Sequence, residues 1–463
     1  MRRTRLGLSL LAAAAGLSVV ATAGQAAKPS ALPVFTNYEA PAGLGDRAGE
    51  PTLGINPKTG AVLFQAYTET LRVTGMKAGG KATWELGSFP VPQPRSFDPI
   101  LRTDPDTGRA FTSQLLLACS QGAFTDDDGK SFTLSQGCGV GSAFDHQTVG
   151  FGPYVEGGPL AALKNPVTNY PNVVYYCAQD VVSAKCSMST DGGVTFPTTS
   201  LVYSTAECQL GGIFGHIKAA PDGTVYLPPR YCPDLAAGEY QTGVAVSEDN
   251  GVTWDVREVP GSVYGDAGHP STAAGRNGDV YLGWGGPRDG KTVFDSGPPM
   301  AALSKDKGKT WTTPVNVGKD ANIANTRFPV MVAGDAGRAA FGYLGSTTGG
   351  NGGDPAFKGR WDLYVSFTQD FGKTWRTVLA TPEHPVQVGP VCTSGTTCGA
   401  SRNLLDFNDM VIDPATGRVI VALADGCPGT AACTTARRMQ KAVISKQTDG
   451  PSLYAAPPKG KKE

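Results

Sequence analysis

Three of the four histidines in this chain of 463 residues, His146, His216 and His269, fall at one recurring place in successive copies of a pattern. At that place a polar residue opens a short strand. In the other copies it is Glu50, Asp98, Arg327 and the couple Asn408/Asp409. Such residues support three chemistries. Two or three neutral imidazoles, with Asp98 or Glu50 assisting, would hold a divalent metal such as zinc or manganese. A His or a Tyr, with a His near neutral pKa a fitting base, would abstract a proton beside a uronate carboxylate while Arg327 neutralises that carboxylate. A carboxyl pair, Glu50 with Asp98 or Asp409, would hydrolyse a glycosidic bond. The blander alternative is a ring of hydrated polar groups along a wet channel.

The elements that position these residues repeat. "HPSTAAGRNGDVYLGWGG" (269–286) reads as a strand, a tight Gly/Asn turn and a second strand. The same grammar recurs at 50–66, 98–114, 216–229, 327–344 and 408–424. A third strand then runs into a box. "SEDNGVTW" (247–254), "SKDKGKTW" (304–311), "TQDFGKTW" (368–375), "STDGGVTF" (189–196) and "TDDDGKSF" (125–132) start 57 to 64 residues apart. A near-constant period means one supersecondary unit repeated. A fourth strand follows each aromatic residue. Four antiparallel strands per unit make a propeller blade. The count is seven blades, with six if one unit is wrongly split. The third unit carries a long insert between its first two strands. The last unit lacks a fourth strand, and "LPVFTNYE" (32–39) is free to supply it and close the ring.

In each box the Asp carboxylate is placed to accept turn N–H groups, Gly takes the left-handed position, and the aromatic packs between sheets. Five near-identical copies cannot all face one active site, so the box is a signature of the fold. The repeated Ser/Thr-x-Asp-x-Gly-x-Ser/Thr-aromatic motif resembles the Asp-box, or bacterial neuraminidase repeat, of the sialidase superfamily, over most of residues 32–450. The resemblance implies a six- or seven-bladed propeller. It also implies a range of functions: sialidases, other glycoside hydrolases, polysaccharide lyases and non-catalytic binding propellers. A sialidase of that superfamily carries an Arg-Ile-Pro motif ahead of the first box. Residues 40–76 hold none, and Arg327-Phe328-Pro329 follows four boxes. The family's catalytic residues are therefore not carried over. Arg230, Arg360 and Arg402 are candidates for the same face, with Tyr231, Tyr240 and Tyr264 nearby in sequence.

The hairpin turns are short, whereas the loops at 230–240, 285–297, 345–360, 380–406 and 425–437 are long. Insertions gathered on one face mark it as the binding face. The remaining features bound the context. Residues 1–27 read as a signal peptide, with Arg2, Arg3 and Arg5 ahead of an Ala/Leu-rich run and small residues at its end. Residues 28–450 form the propeller, and 451–463 a disordered tail. The mature chain holds 37 basic against 40 acidic residues. That balance argues against nucleic acid, which needs a clustered positive field. No later segment is apolar enough to span a membrane. Ten cysteines fall into sequence-near couples, Cys119/Cys138, Cys177/Cys186, Cys208/Cys232, Cys392/Cys398 and Cys427/Cys433, and the expectation is neighbour pairing in an oxidising, extracellular setting. Four of the five couples are expected on the long-loop face. The expected partner is an extracellular glycan or polysaccharide, met by a monomer.

Overall fold

The computed structural model describes residues 31–77, 81–88, 96, 98–116, 119–136, 145–180, 182–208, 214–234, 239–265, 267–292, 295–429, 433 and 439–455. The predicted leader, the end of the tail from 456 and the side chains of the Cys119/Cys138 couple lie outside them.

The chain forms seven antiparallel blades arranged in a ring. Their innermost strands are Thr52–Ile55, Pro99–Thr103, Asp145–Pro153, Lys218–Ala219, Ser271–Ala274, Asn325–Ala333 and Asp409–Ile412. Six blades are read outward in chain order. The seventh is composite: Val34–Glu39 pairs with Lys441–Asp449, with Tyr38 opposite Ile444. The N-terminal segment thus closes the ring, and the count is seven. Blade four carries an extra hairpin, Cys232–Asp234 with Glu239–Gln241, between its second and third strands. Among the described residues no helix is long and apolar enough to cross a membrane.

The inner strands are buried on both faces, because each blade packs between two others, whereas the outermost strands are largely exposed. Leu53, Phe64, Leu71 and Val73 of blade one meet Ile420, Ala422 and Ile444 of blade seven in one such layer. Burying each large apolar side chain contributes roughly 1.5–3 kcal/mol. Towards the axis the blades come closest. A Cβ on Gly54 would stand 2.0 Å from Thr103 Oγ1, so only glycine fits there.

An inner strand has one free edge, and its N–H groups still need acceptors. Side chains of the preceding blade supply them. Thr52 Oγ1 accepts from Leu101 N–H (2.8 Å), Thr148 Oγ1 from Ile217 N–H (3.0 Å) and Ser271 Oγ from Met331 N–H (2.9 Å). Asp409 Oδ2 accepts from Leu53 N–H at 3.0 Å, linking the last blade to the first.

The five boxes share one hydrogen-bond pattern. In the copy at 304–311, Ser304 Oγ donates to Asp306 Oδ1 (2.8 Å) and accepts from Gly308 N–H (2.7 Å), while Thr310 donates through N–H and hydroxyl to the carboxylate (2.8 and 2.6 Å). The residue ahead of the glycine is left-handed too, at φ 60–62° in Asp128, Asn250, Lys307 and Phe371. The motif leaves that position free, so the second left-handed residue is invisible in it.

Four of the expected disulfides are formed: Cys177–Cys186, Cys208–Cys232, Cys392–Cys398 and Cys427–Cys433. Residues 451–455, expected in the disordered tail, are docked on the propeller. Leu453 is fully buried, donates to Gly417 C=O (2.7 Å) and accepts from Asp335 N–H (2.9 Å). Arg276 stacks on Tyr454 at 3.4 Å. The apolar Leu453 and the aromatic Tyr454 are what dock this segment.

Candidate functional site

The inner strands pack side by side around the axis, so their leading residues gather at one end of it. Glu50, Asp98, His146, His216, His269, Arg327, Asn408 and Asp409 are all there, and all are buried. The backbone is strained at two of the leads, Glu50 and His146 (φ 57° and 42°), and at Phe328 next to Arg327 (φ 56°). Non-glycine residues hold such angles only where their surroundings over-determine them, typically at functional sites.

The ring divides into sectors. The first is acidic. Asp98 Oδ2 and Asp145 Oδ1 both accept from His146 N–H, at 2.7 and 3.0 Å. Arg402 is paired bidentately with Asp406 and lies 4.0 Å from Glu50 Oε1. Burial, reinforced by Asp98 and Asp406, pushes the Glu50 carboxyl well above the usual range against the pull of Arg402. Asp98 is raised by burial, Asp145 and Asp406, with Glu50 and the His146 N–H opposing. Glu50 Oε2 meets no donor among the described residues. A protonated Glu50 that donates to a neighbouring carboxylate accounts for this arrangement.

The second sector is the imidazole cluster. His146 lies 4.7 Å from His269 and 6.3 Å from His216, centroid to centroid. Phe407 fills the middle, 4.7 Å from His216, 5.8 Å from His146 and 5.9 Å from His269. Burial is the first cause that lowers all three histidines, with the neighbouring imidazoles adding to it at His146 and His269. At His216 the carboxylate of Asp409, 3.7 Å from Nδ1, opposes it. His146 Nε2, His216 Nε2, both nitrogens of His269 and Asn408 Nδ2 are buried without a hydrogen-bond partner among the described residues.

The imidazoles do not fit a metal. Among the described residues, the group of three or more His, Cys, Asp and Glu side chains whose ligand atoms all fall within 4.8 Å of one another is Glu39, His384 and Asp425, on other elements. The wedge of Phe407 accounts for the spread, and no step is routed through an ion here.

Arg327 and Asp409 are committed elsewhere. The Arg327 guanidinium donates to Val391 C=O (2.9 Å), Ser296 Oγ (3.0 Å) and Thr326 C=O (3.2 Å). Asp409 Oδ1 accepts from Arg102 (3.0 Å) and from Met410 N–H (2.8 Å). Burial would raise Asp409, yet Arg102, His216 and Lys218 together hold it far below the usual carboxylate range.

Beside His269 stands a tyrosine cluster. Arg230 donates to Tyr264 Oη (2.8 Å), which donates to Gly268 C=O (2.6 Å) and so fixes the backbone ahead of His269. The rings of Tyr240 and Tyr264 lie 5.3 and 5.4 Å from Tyr231. Sequence reasoning missed Asp406, Phe407 and Asp145. The run Asp406-Phe407-Asn408-Asp409, an acid and an aromatic just ahead of an inner strand, is the signal that marks two of them.

No protein-family profile matches the chain, and no curated protein sequence matches it. Similar solved structures include a protein of unknown function from Dyadobacter fermentans (14% identity, 90% of this chain and 100% of that one, TM-score 0.44). An α-L-arabinanase from Penicillium chrysogenum complexed with arabinobiose shares 13% identity over 77% of this chain and 94% of its own, with a TM-score of 0.42. A Hadza microbial sialidase shares 14% over 86% of this chain and 65% of its own, at 0.39. Likenesses this distant carry no argument about what the chain does.

Proposed function

We propose that the protein is an extracellular carbohydrate-active propeller that binds a glycan at the leading end of its inner strands and cleaves a glycosidic bond there. One observation carries the reading. Four buried side chains at this end, three imidazoles and Asn408, leave five nitrogens without partners among the described residues. Buried polar groups are normally satisfied. A neutral imidazole nitrogen accepts or donates according to tautomer, and a sugar hydroxyl does both, so a polyhydroxyl ligand suits the set. Tyr240, 37% exposed, adds an apolar ring at the edge of the tyrosine cluster.

The acidic sector supplies the chemistry. Glu50, held protonated, donates to the glycosidic oxygen as general acid. Asp145, exposed to solvent, is the carboxylate that serves as base or nucleophile. Burial, Asp98 and Asp406 favour the Glu50 proton, against the pull of Arg402. Arg327 and Asp409 position the strands. The test is mass spectrometry of products from sialylated, neutral and uronate glycans. Products carrying added water, lost in Glu50→Gln, support hydrolysis. An unsaturated uronate refutes hydrolysis and assigns the lyase route to the histidines.

A second reading, a glycan binder without turnover, is favoured by Phe407, which leaves a cavity of only about 10 Å³ beside His216 and His269. It predicts glycan binding without product, weakened by His269→Ala.

A further inference from the structure

At the other end of the inner strands the channel widens into a cavity of about 240 Å³. Its walls are mostly apolar, with Phe151, Ile217, Met331 and Met410 prominent among them. Two cationic side chains also line it, Arg102 and Lys218. Arg102 is held by Asp409 and by Leu53 C=O at 3.4 Å. The Lys218 amine has no hydrogen bond or ion pair among the described residues, although the residue is only partly exposed. An amine that water-sized molecules reach, walled by protein and tied to nothing, is a nucleophile without an assigned task.

We propose that Lys218 is a site of reversible carbamate formation, in which its amine adds to CO2 that enters the channel and the resulting N-carboxylate faces Arg102. The amine nitrogen forms a bond to the carbon of CO2, one C–O π bond opens to a carboxylate, and the displaced N–H proton leaves to solvent. No oxidant or reductant is needed. The apolar walls admit neutral CO2 more readily than a hydrated anion. The reaction exchanges an ammonium that Arg102 repels for a carboxylate that it attracts. Of the other groups near Lys218, Asp409 favours the ammonium, and His216 lies two residues earlier in the chain, ahead of the strand.

Protonation favours the reaction as well. Burial, with Arg102 adding and Asp409 opposing, brings Lys218 down to about 7. Near neutrality about half of it is free amine, against on the order of one in 10³ for an ordinary lysine.

The experiment uses the full chain in ¹³C-bicarbonate buffer near pH 7.5. A carbamate resonance present in the wild type and absent in Lys218→Arg is the expected result. A second measurement needs no variant. Isocyanic acid is isoelectronic with CO2 and modifies free amines irreversibly. Peptide mapping after brief cyanate treatment is expected to show Lys218 modified roughly 10-fold faster than the other lysines, and slowed selectively when dissolved CO2 is raised at fixed pH. Superimposable spectra of wild type and variant, or a Lys218 cyanate rate no higher than the rest, overturn the proposal.

Discussion

Replacing Asp409 by alanine removes an acceptor on which three donors converge. Leu53 N–H comes from blade one at 3.0 Å, the Arg102 guanidinium from blade two at 3.0 Å, and Met410 N–H from the strand of Asp409 itself at 2.8 Å. The carboxylate is fully buried, and the side chain of Arg102 is 12% exposed. Breaking one half of such a buried pair costs about 3–5 kcal/mol, chiefly because the other charge is left uncompensated. That origin makes the loss recoverable. Arg102→Met removes the stranded charge, so the double variant is expected to lose at least about 2 kcal/mol less than the two single losses summed. Guanidinium unfolding followed by tryptophan fluorescence measures all four corners of the cycle.

Acid provides a second check. The folded Asp409 titrates far below its unfolded value of about 3.9. Its stabilisation is therefore complete above about pH 4 and is lost as pH falls through the folded value. The gap between wild type and Asp409→Asn is expected to be constant from pH 5 to 8 and to narrow only at lower pH. If Asp409→Ala leaves unfolding unchanged while turnover disappears, the residue belongs to the chemistry and its assignment as the strap between first and last blades is refuted.

Glu50→Gln is expected to do the opposite. Its folded carboxyl is raised, so its stabilisation is present below the unfolded value near 4.3 and is lost as pH rises through the folded one. Calorimetry at pH 8 is expected to show the variant more stable than wild type by about 1–3 kcal/mol; a destabilised variant there contradicts the buried-acid reading. Asp306→Ala removes the acceptor of three donors in one box turn and is expected to cost about 1–3 kcal/mol in chemical denaturation, with the glycan products unchanged. Deleting residues 32–39 withdraws Phe35 and Tyr38 and bares the edge of Lys441–Asp449. Size-exclusion chromatography is expected to show aggregate in place of the wild-type peak; an unchanged elution volume and melting point rule out the closing role.

Much of the frame was legible in sequence because its causes are local. Turn chemistry, alternation and the box recur within each unit, so blade number, strand order and the closing segment 32–39 followed from counting. Cys177 and Cys186 face each other directly across two strands, and Cys392/Cys398 and Cys427/Cys433 each lie in one loop, whereas Cys208–Cys232 ties the end of blade three to the extra hairpin of blade four. The docking of Leu453 and Tyr454 was not legible, since two apolar residues after a proline say nothing of where they land. The acidic sector was legible only in part. Glu50 and Asp98 stood out as leads, but Asp406 and Arg402 reach them from a loop whose path no periodicity encodes. The burial of the ring was missed for the same reason: Phe407 closes it, and nothing in the repeat announces a plug.

The polar ring is better understood once the inner edge is considered. Every innermost strand exposes N–H groups to the axis, and each blade must offer its neighbour an acceptor. Thr52, Thr148, Ser271 and Asp409 do so. A propeller thus carries buried polar residues near its axis whether or not it binds anything, and polarity at the leading positions is weak evidence of function by itself. What this requirement leaves over is the better evidence. The side chain of Glu50 satisfies no backbone edge among the described residues, and neither do the free nitrogens of His216, His269 and Asn408. They stay buried at a cost of about 1–3 kcal/mol for each unsatisfied group, and the fold does not need them for closure. Residues that stay buried and unsatisfied at this cost are where a ligand's hydroxyl groups would restore what folding leaves unmet.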